Sequence, residues 1–211
     1  MADELVLLAL GSDYEGWPLR SDGTPNTPPY LGPGVGVALL AELAVTGAIT
    51  VDEGRVVAGP VTIGGSGELR SVASRIAEQP RHRSAAWWAQ RLAAERPDLR
   101  RLEALKQRNL ILEYERVARR VWRTGPGRYW FVPENSSTLN LIVGRLKRAM
   151  HAGEADGWTA ALLAIVHACG VHRAYFRNLN RRERERRIRR IADKHWSHRA
   201  AASAVTARNL V

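Results

Sequence analysis

A ten-residue pattern is written twice in this chain. Leu-x-x-Leu-x-x-x-Gly/Asn-x-Ile occurs as Leu40, Leu43, Gly47 and Ile49, and again as Leu102, Leu105, Asn109 and Ile111. Two leucines three apart share one face of a helix. Gly or Asn four residues later tolerates a left-handed backbone and stops that helix. The Ile two positions on begins a strand whose side chain returns to the same core. Hairpin signals follow both copies, so the chain is expected to hold two helix-then-hairpin units with winged-helix-like packing.

The remainder reads as helices gathered around those units. Residues 3–10 predict a short apolar helix that must be buried, and "GSDYEGWPLRSDGTPNTPPYLGPGVG" (11–36), dense in Gly, Pro, Asp and Asn, predicts a long ordered loop or lid. A helix buried on most sides is expected over 35–47, then a hairpin over 48–59 turning at Asp52-Glu53-Gly54. Ser66 is positioned to cap a helix running to about Glu78, followed by helices over 83–95 and 97–108, with Pro97 in a first turn. Alternation over 109–134, with Gly-Pro-Gly inside it, predicts a second, projecting hairpin. Helices over 137–152, 156–171, roughly 179–196 and 197–208 complete the chain. No compositional break divides residues 1–211. The fold class expected is mainly α: a single-domain helical bundle with two β-hairpins.

Composition narrows the partners. Apolar residues make up 45% of the 211, enough for a sizeable core, and the net charge is +11. Of the 32 basic residues only Lys106, Lys147 and Lys194 are lysine. Such an arginine skew reflects a G+C-rich, bacterial coding sequence more than selection for nucleic acid, although a basic surface still favours acidic partners. The single cysteine, Cys169, excludes an intramolecular disulfide and any multi-cysteine metal site, which fits a reducing cytoplasm. "MADELVLLAL" does not read as a signal peptide. The longest apolar stretch, "WTAALLAIVHACGV" (158–171), is too short to cross a bilayer, so membrane contact is expected to be peripheral.

Motifs for catalysis are weak. Cys169 lies between His167 and His172, but His167 and Cys169 stand about 200° apart on a helix, so both are expected as core residues. Asp193, His195 and His198 could bring two imidazoles to one metal, yet no third ligand is spaced for it. "GGSGELR" lacks the Gly-Lys-Ser/Thr ending of a phosphate loop. No catalytic residue, metal or cofactor is therefore expected, and the chain does not read as an enzyme. "RRERERRIRR" (181–190) spaces Glu183 to meet Arg187 and Glu185 to meet Arg189, with Ile188, Ile191 and Ala192 as an apolar stripe. It reads as a helix with one buried face and one arginine face.

Taken in order, these segments resemble the Golgi phosphoprotein 3 family. The similarity runs through "DELVLLAL", "ALLAELAVTGAI", "GSGELRSVASRIAEQP", "WWAQRL", "LKQRNLI" and "WTAALLAIVHACGV". The resemblance implies a non-enzymatic peripheral-membrane adaptor. Eukaryotic members bind phosphatidylinositol 4-phosphate and the cytoplasmic tails of Golgi enzymes, and oligomerise through the hairpin corresponding to about 109–124 here. The expected partners are thus an anionic phospholipid headgroup, acidic protein tails, and a second copy of the chain. The family's headgroup pattern has a Trp before the second helix, an Arg at that helix's start, and two Arg one turn apart before the hairpin. Without gaps these positions fall on Thr27, Gly36, and Glu95 with Asp98. The nearest suitable side chains are Tyr30, Arg96, Arg100 and Arg101, which become the candidate headgroup site. A nucleic-acid-binding regulator built on the winged-helix-like units is the alternative reading.

Overall fold

Helices that are apolar on every side are stable only where other elements cover them, and this requirement organises the computed structural model. It describes residues 1–13, 15–61, 67–116, 127–133 and 136–208. The first half runs α1 (Ala2–Gly11), β1 (Trp17–Pro18), α2 (Leu31–Val45), β2 (Ile49–Asp52), β3 (Arg55–Ala58), α3 (Gly67–Ala77), α4 (Ala85–Ala94) and α5 (Pro97–Gln107). The second half runs β4 (Leu112–Arg116), β5 (Gly127–Phe131), α6 (Ser137–Ala152), α7 (Gly157–Ala168), α8 (His172–Tyr175), α9 (Arg181–Ala192) and α10 (Trp196–Arg208). The protein is mainly α, as expected. Helices α1, α2 and α7 form the centre, with α4 and α10 packed against α2. α2 is buried continuously from Leu31 to Ala41, and α7 from Ala161 to Val166.

The doubled pattern works as its residues dictate. Leu40, Leu43, Leu102 and Leu105 have no exposure, and Ile49 and Ile111 are each 1% exposed. Gly47 and Asn109 both take positive φ, 77° and 56°. The closing hydrogen bonds match as well: Ala48 N donates to Leu43 O at 2.9 Å, and Leu110 N to Leu105 O at 3.0 Å. After the first copy, β2 and β3 pair antiparallel around Glu53 and Gly54, both left-handed as a type I′ turn requires. After the second, β4 pairs with β5. Residues 117–126, and with them half of the expected oligomer contact at 109–124, lie outside the described residues, as does the expected cap at Ser66.

Three features differ from expectation. The Pro/Gly-rich loop ends at Tyr30 rather than at residue 36, because α2 already begins at Leu31. Its glycines permit close packing instead of breaking the helix: a Cβ on Gly36 would lie 2.7 Å from Ala89 O of α4, and one on Gly34 would lie 2.9 Å from Cys169 Sγ. Pro33 is tolerated because a first-turn residue needs no N–H. Second, the loop contributes a strand of its own. β1 adds to the edge of the second hairpin, Trp17 opposite Trp130, giving a three-stranded sheet in the order β1-β5-β4. Third, the helix expected over 156–171 stops at Ala168, since Gly170 turns left-handed at φ 76° and α8 follows as a separate turn.

α9 folds with its arginines outward, and Ile188, Ile191 and Ala192 are buried. Asn180 caps it by accepting a hydrogen bond from Glu183 N at 2.9 Å. Arg187 pairs with Glu183 at 2.5 Å, as the spacing predicts. The expected Glu185–Arg189 pair gives way to another arrangement: Glu185 lies on the side of α9 facing α7 and α8, and there it meets two imidazoles.

Candidate headgroup site

The loop over 15–30 and the start of α5 enclose a surface cleft of about 640 Å³, lined among others by Trp17, Arg20, Asn26, Thr27, Arg96 and Asp98. Each wall follows from local sequence. Gly16 takes φ 72°, and a Cβ there would lie 2.4 Å from Trp130 O, so only glycine lets the loop reach the sheet and seat Trp17. Trp17 is 3% exposed. The loop then turns: Asp22 accepts from Thr24 N at 2.8 Å, and Leu19 bridges to Pro25. Arg20 extends along the turn and donates to Asn26 Oδ1 at 3.0 Å.

Arg96 precedes α5 in a left-handed conformation (φ 53°, ψ 51°), with Pro97 fixing the first helical residue. This turn brings its guanidinium back onto Asp98, with Nε 3.1 Å from Oδ1 and Nη2 2.9 Å from Oδ2. Thr27 joins the pair: its hydroxyl accepts from Arg96 at 3.1 Å and donates to Asp98 at 3.0 Å. Asp98 is 1% exposed, whereas the Arg96 side chain keeps about a third of its surface open to the cleft. Hydrogen bonding to Asp98 pushes the Arg96 pKa up, so it remains charged.

The candidate residues do not all converge. Arg96 lines the cleft. Tyr30 lines an adjoining hollow that shares Trp17, Pro28 and Asp13 with it. Burial raises the Tyr30 phenol, which therefore stays protonated. Arg100 and Arg101 turn elsewhere. Arg100 pairs with Glu68 at 3.0 Å, and Arg101 bridges Glu68 at 2.5 Å and Asp3 at 3.1 Å. Burial works against the charge on Arg101, but Glu68 and Asp3 outweigh it and hold its pKa high. These two arginines join α5 to α3 and α1. Sequence reasoning missed Trp17, Arg20 and Asn26. A usable signal existed, since Trp17 is the one tryptophan within 11–36, although it lies ten positions before the ungapped match at Thr27. Of the four ungapped register positions, Thr27 and Asp98 touch each other.

The cysteine and histidines are also in place. Cys169 is buried against α2, and burial pushes its thiol up to about 12, far from a thiolate at neutral pH. His195 and His198 do not share a ligand position: His195 Nδ1 faces Ser197 Oγ at 2.8 Å, while His198 faces Asp193 and His167. Burial lowers the pKa of both. His167, expected as a core histidine, is largely covered and meets His198 and Glu185.

A mainly helical domain with two helix–hairpin units and an arginine-bearing cleft beside a Trp-containing loop is the class these observations define. The profile of the Golgi phosphoprotein 3 (GPP34) family matches residues 1–208, and the chain belongs to that family. No curated protein matched the chain.

Proposed function

We propose that this protein is a non-enzymatic peripheral-membrane adaptor whose cleft between the 15–30 loop and α5 receives an acidic, phosphate-bearing lipid headgroup. The observation that carries this reading is Arg96: left-handed, held by Asp98 and Thr27, and partly open toward the same cleft that Arg20 lines. Guanidinium groups suit phosphate because they present several donors in a fixed plane. Trp17 supplies an apolar wall at the same place. Among the described residues no helix is long and apolar enough to cross a membrane, which fits contact from one side. Family membership supports the adaptor role, with acidic protein tails and a second copy of the chain as further partners.

The nucleic-acid reading is weaker. Of the two helices that precede a hairpin, α2 is buried from Leu31 to Ala41, and the arginines Arg100, Arg101 and Arg108 at α5 are engaged by Glu68 and Asp3. Cosedimentation with neutral vesicles and with vesicles containing a phosphoinositide is the test. Binding is expected only to the anionic vesicles, falling with added salt, and weakened several-fold by Arg20→Ala. Equal binding to both vesicle types would overturn the proposal.

A further inference from the structure

Outside the cleft, four helices bring titratable side chains to one place. His167 on α7, His172 on α8, Glu185 on α9 and His198 on α10 lie together, with Asp193 following α9. His167 Nε2 is 2.7 Å from Glu185 Oε2, and His172 Nε2 is 3.3 Å from Glu185 Oε1. The donor atoms of His167, His172 and Glu185 all lie within 4.8 Å of one another.

The hydrogen-bond network assigns the tautomers. Asp193 can only accept, so His198 Nδ1, 3.2 Å away, carries a proton. His198 Nε2 is then an acceptor, and it receives its bond from His167 Nδ1 at 2.9 Å. That leaves the His167 Nε2 lone pair pointing at a carboxylate oxygen 2.7 Å away. Two acceptors this close require a positive charge between them, either a proton or a metal ion. His172 favours the metal. It is 2% exposed, and among the described residues its one hydrogen-bond contact is the long one to Glu185 and its Nδ1 has no partner. A buried imidazole so poorly satisfied is costly as packing alone.

We propose that His167, His172 and Glu185 form a binding site for a divalent transition cation of the zinc class. Two imidazoles and one carboxylate are the donor set such ions favour. Ligand atoms at tetrahedral angles around one ion sit roughly 3.3 Å apart, a separation His172 and Glu185 already have. His167 Nε2 meets the other oxygen, Oε2, and must open from it by about half an ångström, which the partly exposed Glu185 side chain can supply, its carboxylate spanning the two imidazoles. The exposed side leaves the fourth position to water. Asp193 and His198 form the supporting relay behind His167, fixing its tautomer as a ligating histidine requires. Cations that act on the cluster include Arg184, turned toward the Phe176 carbonyl, and Arg189 beside His198. Glu185 and Asp193 offset them. An ion here ties the arginine-bearing α9 to the central helix α7.

Tag-free full-length protein, stripped with a chelator, is titrated with zinc by calorimetry and with cobalt(II) by visible absorption. One equivalent is expected to bind, with four-coordinate cobalt bands and a rise in Tm. Glu185→Gln and His167→Ala are each expected to weaken binding more than about tenfold, while His151→Ala leaves it unchanged. Folding of each variant is checked by circular dichroism, and Glu185→Gln preserves side-chain shape if His167→Ala does not fold. Absence of stoichiometric binding assigns the intervening charge to a proton and overturns the proposal. Binding that survives Glu185→Gln overturns it equally, because the ion then sits elsewhere.

Discussion

Asp98 has almost no exposure, and a carboxylate in that position is tolerable only while Arg96 and Thr27 hold it. Arg96→Ala therefore removes more than a ligand contact. It leaves a buried charge with a single hydroxyl partner and is expected to cost about 2–3 kcal/mol, below the range for a fully enclosed pair because Arg96 is partly open. Urea unfolding checks this, and Arg96→Lys should recover part of the loss without the two-point geometry. The same instability explains why Arg20→Ala is the cleaner probe of lipid contact. Asp156 offers a residue-scale test in pH. Hydrogen bonds from the backbone and hydroxyl of Thr159 outweigh burial and hold it below the ordinary carboxylate value of 3.8. A depressed folded pKa means that its contribution is complete above the ordinary value and is lost as pH falls through the folded one. Asp156→Ala is expected to cost about 1 kcal/mol at neutral pH. The stability gap between wild type and Asp156→Asn should narrow below about pH 4.

At the scale of elements, apolar periodicity was legible and glycine was ambiguous. Leu40, Leu43, Leu102 and Leu105 announce their helices and their buried faces directly. By contrast, Gly32, Gly34 and Gly36 look like loop residues until α1, α4 and α7 are placed beside them, and that is tertiary information. The two meanings of glycine make opposite predictions. Alanine raises intrinsic helix propensity by about 1 kcal/mol, so a glycine serving no packing purpose should be replaceable with profit. At Gly36 the new methyl would press on the Ala89 backbone, at 2.7 Å from its oxygen and 3.0 Å from its Cα, and a backbone cannot swing aside. Overpacking of about 1–3 kcal/mol then wins, so Gly36→Ala is expected to lower Tm. Gly67→Ala, at the exposed start of α3 with nothing within 4 Å among the described residues, should stay within about 0.5 kcal/mol of wild type. Thermal unfolding of the pair separates the readings. α9 teaches a related lesson: spacing correctly paired Glu183 with Arg187, but it could not show that Glu185 faces two imidazoles contributed by two other helices.

For the whole molecule, net charge is a poor guide to where the proposed site lies. Much of the arginine excess on α5 is spent joining elements, with Asp3 and Glu68 neutralising Arg101, Arg100 and Arg108. The cleft depends instead on a long-range arrangement, in which the loop reaches the second hairpin's sheet through β1 and thereby aligns Trp17 and Arg20 with Arg96. Tyr30 was visible from sequence and lies next to this cleft, whereas Trp17 was hidden by a register that only the three-stranded sheet reveals. If that sheet positions the site, then loosening it should impair binding without touching a charge. Gly16→Ala does this: its methyl would collide with Trp130 O, and its backbone is left-handed at φ 72°. The variant is expected to retain the helical circular-dichroism signal of α1, α2 and α7, since these helices pack chiefly on one another. Its binding to phosphoinositide vesicles should nevertheless fall several-fold at constant net charge. Unchanged binding by a folded Gly16→Ala protein would mean that the headgroup is held by the general basic surface, including the outer arginines of α9, and not by the cleft that β1 assembles.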